Sequence, residues 1–203
     1  MVNPADHKKG ATLIELIIMI LVLAIIGATI SGTVLYFAQL FMYGPRKLDT
    51  QKIAQELANI IIEGDENVRG ARYSRQVLDA DATQYSYTYG YPAVANQLSV
   101  RFRWDATDKH IYRSTSTDGG SSWSSGSVVP YYMPSSITID GKDAASVIFT
   151  YKRADDSDWT PGVDPLTAIR RLILGISFTS GTGSFSNFEG FTDITSSVEI
   201  KGF

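Results

Sequence analysis

Glu15 is the residue of this 203-residue chain that most needs a chemical reason. It stands near the start of a long apolar run, "KKGATLIELIIMILVLAIIGATISGTVLYFAQLFMY" over 8–43, and no charged side chain follows it from Leu16 to Pro45. An acidic residue at membrane depth costs on the order of 2.5–3.5 kcal/mol, so such a carboxylate is a functional hypothesis by default. Other chemistry is thinly supplied. There is no cysteine, which excludes disulfides, thiolate nucleophiles and Cys-ligated zinc or iron–sulfur sites. His7 lies upstream of the apolar run, so a Ser-His-Asp triad would have to use His110. "DADAT" (79–83) and Asp155, Asp156 and Asp158 in "RADDSDW" (153–159) are weak calcium candidates, since calcium takes six to eight oxygens at loops. Neither has EF-hand spacing, and solvated acidic loops are the commoner reading. "SGTGSFS" (180–186) lacks the third glycine and the βαβ setting of a dinucleotide loop. No enzyme is expected, and no cofactor beyond that calcium possibility.

The element that positions Glu15 is a helix. Thirty residues from Leu16 to Pro45 would span roughly 45 Å at about 1.5 Å per residue, and a bilayer core needs only about 20. A cleaved signal peptide is a poor fit, because the apolar stretch is too long and no small-residue cleavage site followed by polar sequence comes after it. A plain signal anchor accounts for the length, and Lys8 and Lys9 would hold the short amino terminus inside. It leaves Glu15 unexplained.

The string "KKG/ATLIEL" resembles the processing site of type IV pilins and type II secretion pseudopilins. That pattern is a short basic leader ending in Gly, a cut, a small residue, Thr-Leu-Ile, then Glu as the fifth residue of the mature chain. Gly10 matches the residue before the cut, Ala11 the new terminus and Glu15 the glutamate. The resemblance implies removal of residues 1–10 by a prepilin peptidase and N-methylation of Ala11. It also implies assembly of the 11–45 helix with other pilin or pseudopilin subunits. Glu15 would then pair with the amine of a neighbouring subunit in low dielectric, where the Coulomb term is large. Many pilins carry a proline about a third of the way along this helix; here Gly27 and Gly32 occupy that region, and glycine weakens a helix by about 1 kcal/mol.

Beyond residue 45 the chain keeps all of its 18 basic residues except Lys8 and Lys9, and all of its 21 acidic ones except Asp6 and Glu15, for a net charge near −3. With no basic block, nucleic acid is not an expected partner. "YGPRKLD" (43–49) is expected to kink or restart the helix. Ile53, Leu57, Ile60 and Ile61 then recur as one apolar stripe, making 46–63 an amphipathic helix that Gly64 stops. Residues 65–80 show no clear period, with one short helix expected near 73–78. From 84 to 203 the period is two. Tyr85, Tyr87, Tyr89 and Tyr91 alternate with small residues, and Leu98, Val100, Phe102 and Trp104 with polar ones, as in half-buried antiparallel strands. Further strands are expected near 127–132, 136–140, 146–152, 169–178 and 197–201. The tyrosine ladder could stack sugars or bases, although a face packed on the helix is the better account.

The fold class is therefore α+β, with a pilin-like layout: a long helix, half membrane-spanning and half amphipathic, packed on an antiparallel sheet head over 46–203. "STDGGSSW" (116–123) fits the S-x-D-x-G-x-x-W pattern known as the Asp-box, a hairpin device in many β proteins. The order "LSVRFRWD…HIYRST", "VVPYYMPSSITI", "VIFTYKRADDSDWTP" and "IRRLILGISFTSG" is similar to J-type minor pseudopilins and related minor pilins. Together these resemblances imply a minor structural subunit, held in the inner (cytoplasmic) membrane with its head outside the cytoplasm, and later in a filament or pseudopilus. The alternatives are a major pilin, or a pilus-tip adhesin or DNA-uptake pilin whose head binds a ligand.

Overall fold

In the computed structural model, residues 12–89, 98–134, 137–141, 147–180 and 190–200 are described. The architecture is α+β: a long apolar helix followed by antiparallel sheets. Helix α1 is Leu13–Ile62, and the chain divides into two compact units, Met1–Met42 and Tyr43–Phe203. Helical backbone continues through 43–49, so the expected restart does not occur there. Pro45 is consequently a helix-interior proline, which removes one i→i−4 hydrogen bond.

In the second unit the helix ends as its sequence requires. Gly64 takes φ +95° and donates its N–H to the Asn59 carbonyl at 3.1 Å. Thr50, Ala54, Leu57 and Ile61 are all buried, with Ile60 and Ile62 beside them. The apolar members form one core with the inner faces of two antiparallel sheets.

The first sheet is a five-stranded meander in sequence order: β1 Gln76–Ala80, β2 Gln84–Tyr89, β3 Leu98–Asp105, β4 His110–Ser116 and β5 Ser127–Val129. The helix expected near 73–78 is instead a 3₁₀ turn at Ala71–Tyr73 followed by β1. The second sheet is built on β8, Arg171–Ser180. Strands β6 (Ile137–Gly141) and β7 (Phe149–Lys152) share one side of β8, and β9 (Gly190–Glu199) pairs along the other.

Polar groups tie the sheets together at the core margin. Trp104 Nε1 donates to the Ile139 carbonyl at 2.9 Å, and Tyr151 Oη donates to the carbonyls of Asp81 and Gln84. The 81–83 turn receives the N–H groups of Ile148 and Phe149 at Ala82. Each bond satisfies a group that burial would otherwise penalise.

Candidate functional site

Gly10 and Ala11 lie outside the described residues; the description of the amino-terminal helix begins at Thr12. Its first turn is a capping box. Thr12 donates its N–H to Glu15 Oε2 at 2.7 Å and its hydroxyl to the same oxygen at 3.1 Å. Glu15 returns its own N–H to Thr12 Oγ1 at 3.3 Å. Two donors that a helix start leaves without partners are thus satisfied reciprocally. The T-x-x-E spacing before an apolar run was the signal that could have found this arrangement.

From Leu13 to Phe41 the helix is long and apolar enough to cross a membrane, with mean hydropathy 2.9. None of its large apolar side chains is buried; Leu13 is 78% exposed and Phe41 79%. The polar groups inside this stretch are turned onto the helix itself. Thr29 shares its hydroxyl proton between the carbonyls of Ile25 and Ile26, and Thr33 donates to the Thr29 carbonyl at 2.9 Å. Gly27 and Gly32 have open space where a Cβ would stand, so no described residue requires either to be glycine.

In the head, the structure separates the calcium candidates. Asp155 accepts the N–H and hydroxyl of Ser157, Asp156 pairs with Arg171 at 2.7 Å, and Asp158 pairs with Lys152 at 2.7 Å. Among the described residues no group of three metal-ligating side chains comes together. The other acidic cluster is likewise engaged: Asp81 caps the turn at Thr83 and Gln84, and Asp79 accepts Gln84 Nε2. His110 is the first residue of β4, directly after the 106–109 turn, with its Nδ1 2.5 Å from the Asp108 carbonyl oxygen.

Tyr85 and Tyr87 are fully buried, their rings stacked at 5.2 Å, and Tyr87 Oη donates to the Arg69 carbonyl. They are core residues and offer no stacking face to a ligand; Tyr91 lies outside the described residues. Burial pushes both phenols above the usual tyrosine range. The expected alternation in β2 holds for contacts but not for exposure, since Ser86 and Thr88 are buried as well. In β3 the core face is Val100, Phe102 and Trp104, whereas Leu98 is exposed.

The 116–123 segment folds as a hairpin device. Ser116 Oγ donates to Asp118 Oδ1 at 2.5 Å and accepts the Gly120 N–H at 2.9 Å. Ser122 donates both its N–H and its hydroxyl to Asp118, and Gly119 and Gly120 take φ +72° and +94°. Hydrogen bonds from Ser116 and Ser122 hold the Asp118 carboxyl well below the usual range.

Sequence reasoning missed the pair Arg113–Asp65. Arg113 lies on the core side of β4, opposite Phe102. Its Nη1 donates to Asp65 Oδ2 at 2.5 Å, and its Nη2 donates to the Tyr131 hydroxyl. Asp65 Oδ1 accepts the N–H groups of Asn67 and Val68. Burial pushes the Asp65 carboxyl up, and these hydrogen bonds, led by Arg113, more than reverse it. The pair fastens the loop after the helix to the first sheet; a 48-residue separation leaves no local signal of it.

No protein-family model matches this chain, and it has no significant match among curated proteins or solved structures.

Proposed function

We propose that this protein is a structural, non-enzymatic subunit, of the minor kind, of a type IV pilus-like filament or type II secretion pseudopilus. Its leader, residues 1–10, is removed by a prepilin peptidase. The helix then passes from the lipid of the cytoplasmic membrane into a bundle with other subunits, and the head lies outside the cytoplasm. The observation that carries this reading is one helix with two properties. The large apolar side chains of its Leu13–Phe41 stretch have no cover among the described residues, and the single carboxylate of that stretch sits in the first turn, five residues after Gly10. Exposed apolar area of this extent marks a surface that another phase or another chain covers. The capping box supports the reading too, because it partners the Glu15 carboxylate before any neighbour is present.

The test is mass spectrometry of the full chain produced with and without a prepilin peptidase. The expected mature species begins at Ala11 and carries a methyl group. A chain that keeps residues 1–10, or is cut after the apolar run, overturns the reading. In filaments, the abundance of the chain relative to co-purifying subunits separates a minor from a major subunit. Glu15→Leu is expected to abolish incorporation while leaving the head's circular dichroism unchanged.

A further inference from the structure

Much of the outer face of the five-stranded sheet is polar and yet buried, although Arg103 on the same face is exposed. Ser86, Thr88, Ser99, Ser114 and Ser116 occupy it, and none is more than 6% exposed. The reason is the loop between β4 and β5, which folds back over this face. Gly126 passes so close that a Cβ there would lie 3.1 Å from Tyr112 Cβ and 3.2 Å from Ser114 Oγ. At Gly120 a Cβ would meet Leu78 Cδ1 at 2.8 Å and the Trp123 ring at 3.3 Å. Between the loop and β1–β3 a groove of about 410 Å³ remains, lined by Leu78, Asp79, Gln84, Ser86, Arg101 and Trp123 among others.

Arg101 is the unusual member. Arg72, Arg103, Arg113, Arg153 and Arg171 each have a carboxylate partner. Arg101 has neither an ion pair nor a hydrogen bond among the described residues, and its Nε is buried without a partner. Its guanidinium lies over the Trp123 ring, 4.6 Å from the centroid. That contact offsets only part of the desolvation of a cation. Burial and the neighbouring Arg103 both disfavour its charge, and Asp79 opposes them. Asp79 is itself held by Gln84 Nε2 at 2.5 Å.

We infer that this groove binds a small carboxylate-bearing molecule, its carboxylate on the Arg101 guanidinium and its apolar part against Leu78 and Trp123. A planar guanidinium fork matches a carboxylate, and the charge-assisted bonds strengthen where water is excluded. One uncompensated cation with Asp79 nearby suits a monoanion better than a dianionic phosphate. The volume lies at the lower end of small-ligand pockets and suits a ligand of about one ring. Gln84 and Ser86 supply neutral hydrogen-bonding groups at the wall. The inference stands apart from the filament reading, since it uses only the head.

Benzoate is a suitable probe, with benzamide as its neutral isostere, titrated by calorimetry into the full chain in detergent. Benzoate is expected to bind saturably and about tenfold or more tightly than benzamide, the difference being the charge-assisted contact. Arg101→Gln should remove that preference without lowering the melting temperature, because it deletes a partly buried cation that has no ion pair or hydrogen bond among the described residues. Arg103→Gln, two positions along β3 from it, should leave the preference within about threefold of wild type. Ser121→Glu places a negative charge on the exposed loop at the groove and should weaken benzoate severalfold; it decides the question if Arg101→Gln does not fold. Equal binding of the two probes, no saturable benzoate binding, or undiminished preference in Arg101→Gln or Ser121→Glu overturns the inference.

Discussion

Glu15 shows how one side chain can satisfy two demands. Both of its capping bonds go to Oε2, so Oε1 has no partner among the described residues and could take one in the proposed assembly. Thr12 supplies the other half of the box, so Thr12→Ala should leave the carboxylate in place but expose the Glu15 amide. Hydrogen exchange of that amide in micelles is expected to speed up about fivefold, with the head's exchange unchanged; no change would mean the hydroxyl is dispensable at this helix start. Asp65 offers a residue-scale test in the head. A fully buried ion pair costs about 3–5 kcal/mol to break, and because a fifth of the Asp65 side chain stays exposed, Asp65→Asn is expected to cost about 2 kcal/mol. The pH dependence follows from the direction of its shift. The folded carboxyl lies below its unfolded value of about 3.9, so its contribution is complete above that pH and is lost as pH falls through the folded value. Melting curves of wild type and Asp65→Asn should therefore be well separated at about pH 6 and draw together as the pH falls below the unfolded value of about 3.9. A gap that stays constant with pH would place the stabilisation outside this carboxyl.

At the scale of elements, positive φ alone does not set the cost of losing a glycine; the surrounding space does. Gly64 and Gly162 take φ +95° and +74°. A Cβ on Gly162 meets nothing within 4 Å, whereas on Gly64 it would lie 2.1 Å from the Val68 carbonyl oxygen and 2.5 Å from the Gly70 nitrogen. Gly162→Ala should cost only the left-handed penalty, about 1–2 kcal/mol. Gly64→Ala must also push the 64–70 loop off the helix end and strain the Asp65–Arg113 pair, so a loss of more than about 3 kcal/mol is expected by chemical denaturation. Equal costs would show that the loop gives way freely. Gly64 was legible in the sequence because it interrupts a 3.6-residue stripe, and most strands were legible because core residues alternate. Strand β1 was not. "QVLDA" mixes helix formers with a single β-branched residue, and its register shifts between Val77 and Asp79, so the period of two is broken within the strand. Leu98 misled for the opposite reason: its spacing fits the core face, but it stands at the end of β3, where the inner layer no longer covers it. The groove at Arg101 was not legible either, since it depends on a loop returning across strands far from it in sequence.

At the scale of the whole molecule, the two units divide the physical work. From Leu13 to Phe41 the helix carries apolar surface that no described residue buries, whereas the head's core starts with the helix residues from Thr50 onward. Thr50, Ala54, Leu57 and Ile61 are essentially inaccessible, and Ile60 and Ile62 nearly so. Burying a Leu or Ile side chain contributes about 1.5–3 kcal/mol, so the leucine and three isoleucines of this segment together supply an amount comparable with the roughly 5–15 kcal/mol net stability of a typical domain. Two truncations separate the units. A fragment beginning at residue 43 keeps the whole core and sheds the exposed apolar helix; it should be soluble without detergent, monomeric, and cooperative in thermal unfolding. A fragment beginning at residue 65 loses those helix residues from the core cluster that they share with Tyr85, Tyr87, Phe102 and Leu172. With those buried residues gone from the shared core, it should aggregate or bind hydrophobic dyes, with no cooperative transition. Were the longer fragment to need detergent as the full chain does, the head would carry an apolar surface of its own beyond α1. Were the shorter one to unfold cooperatively, the amphipathic half of the helix would be an accessory to the sheets and not part of their core.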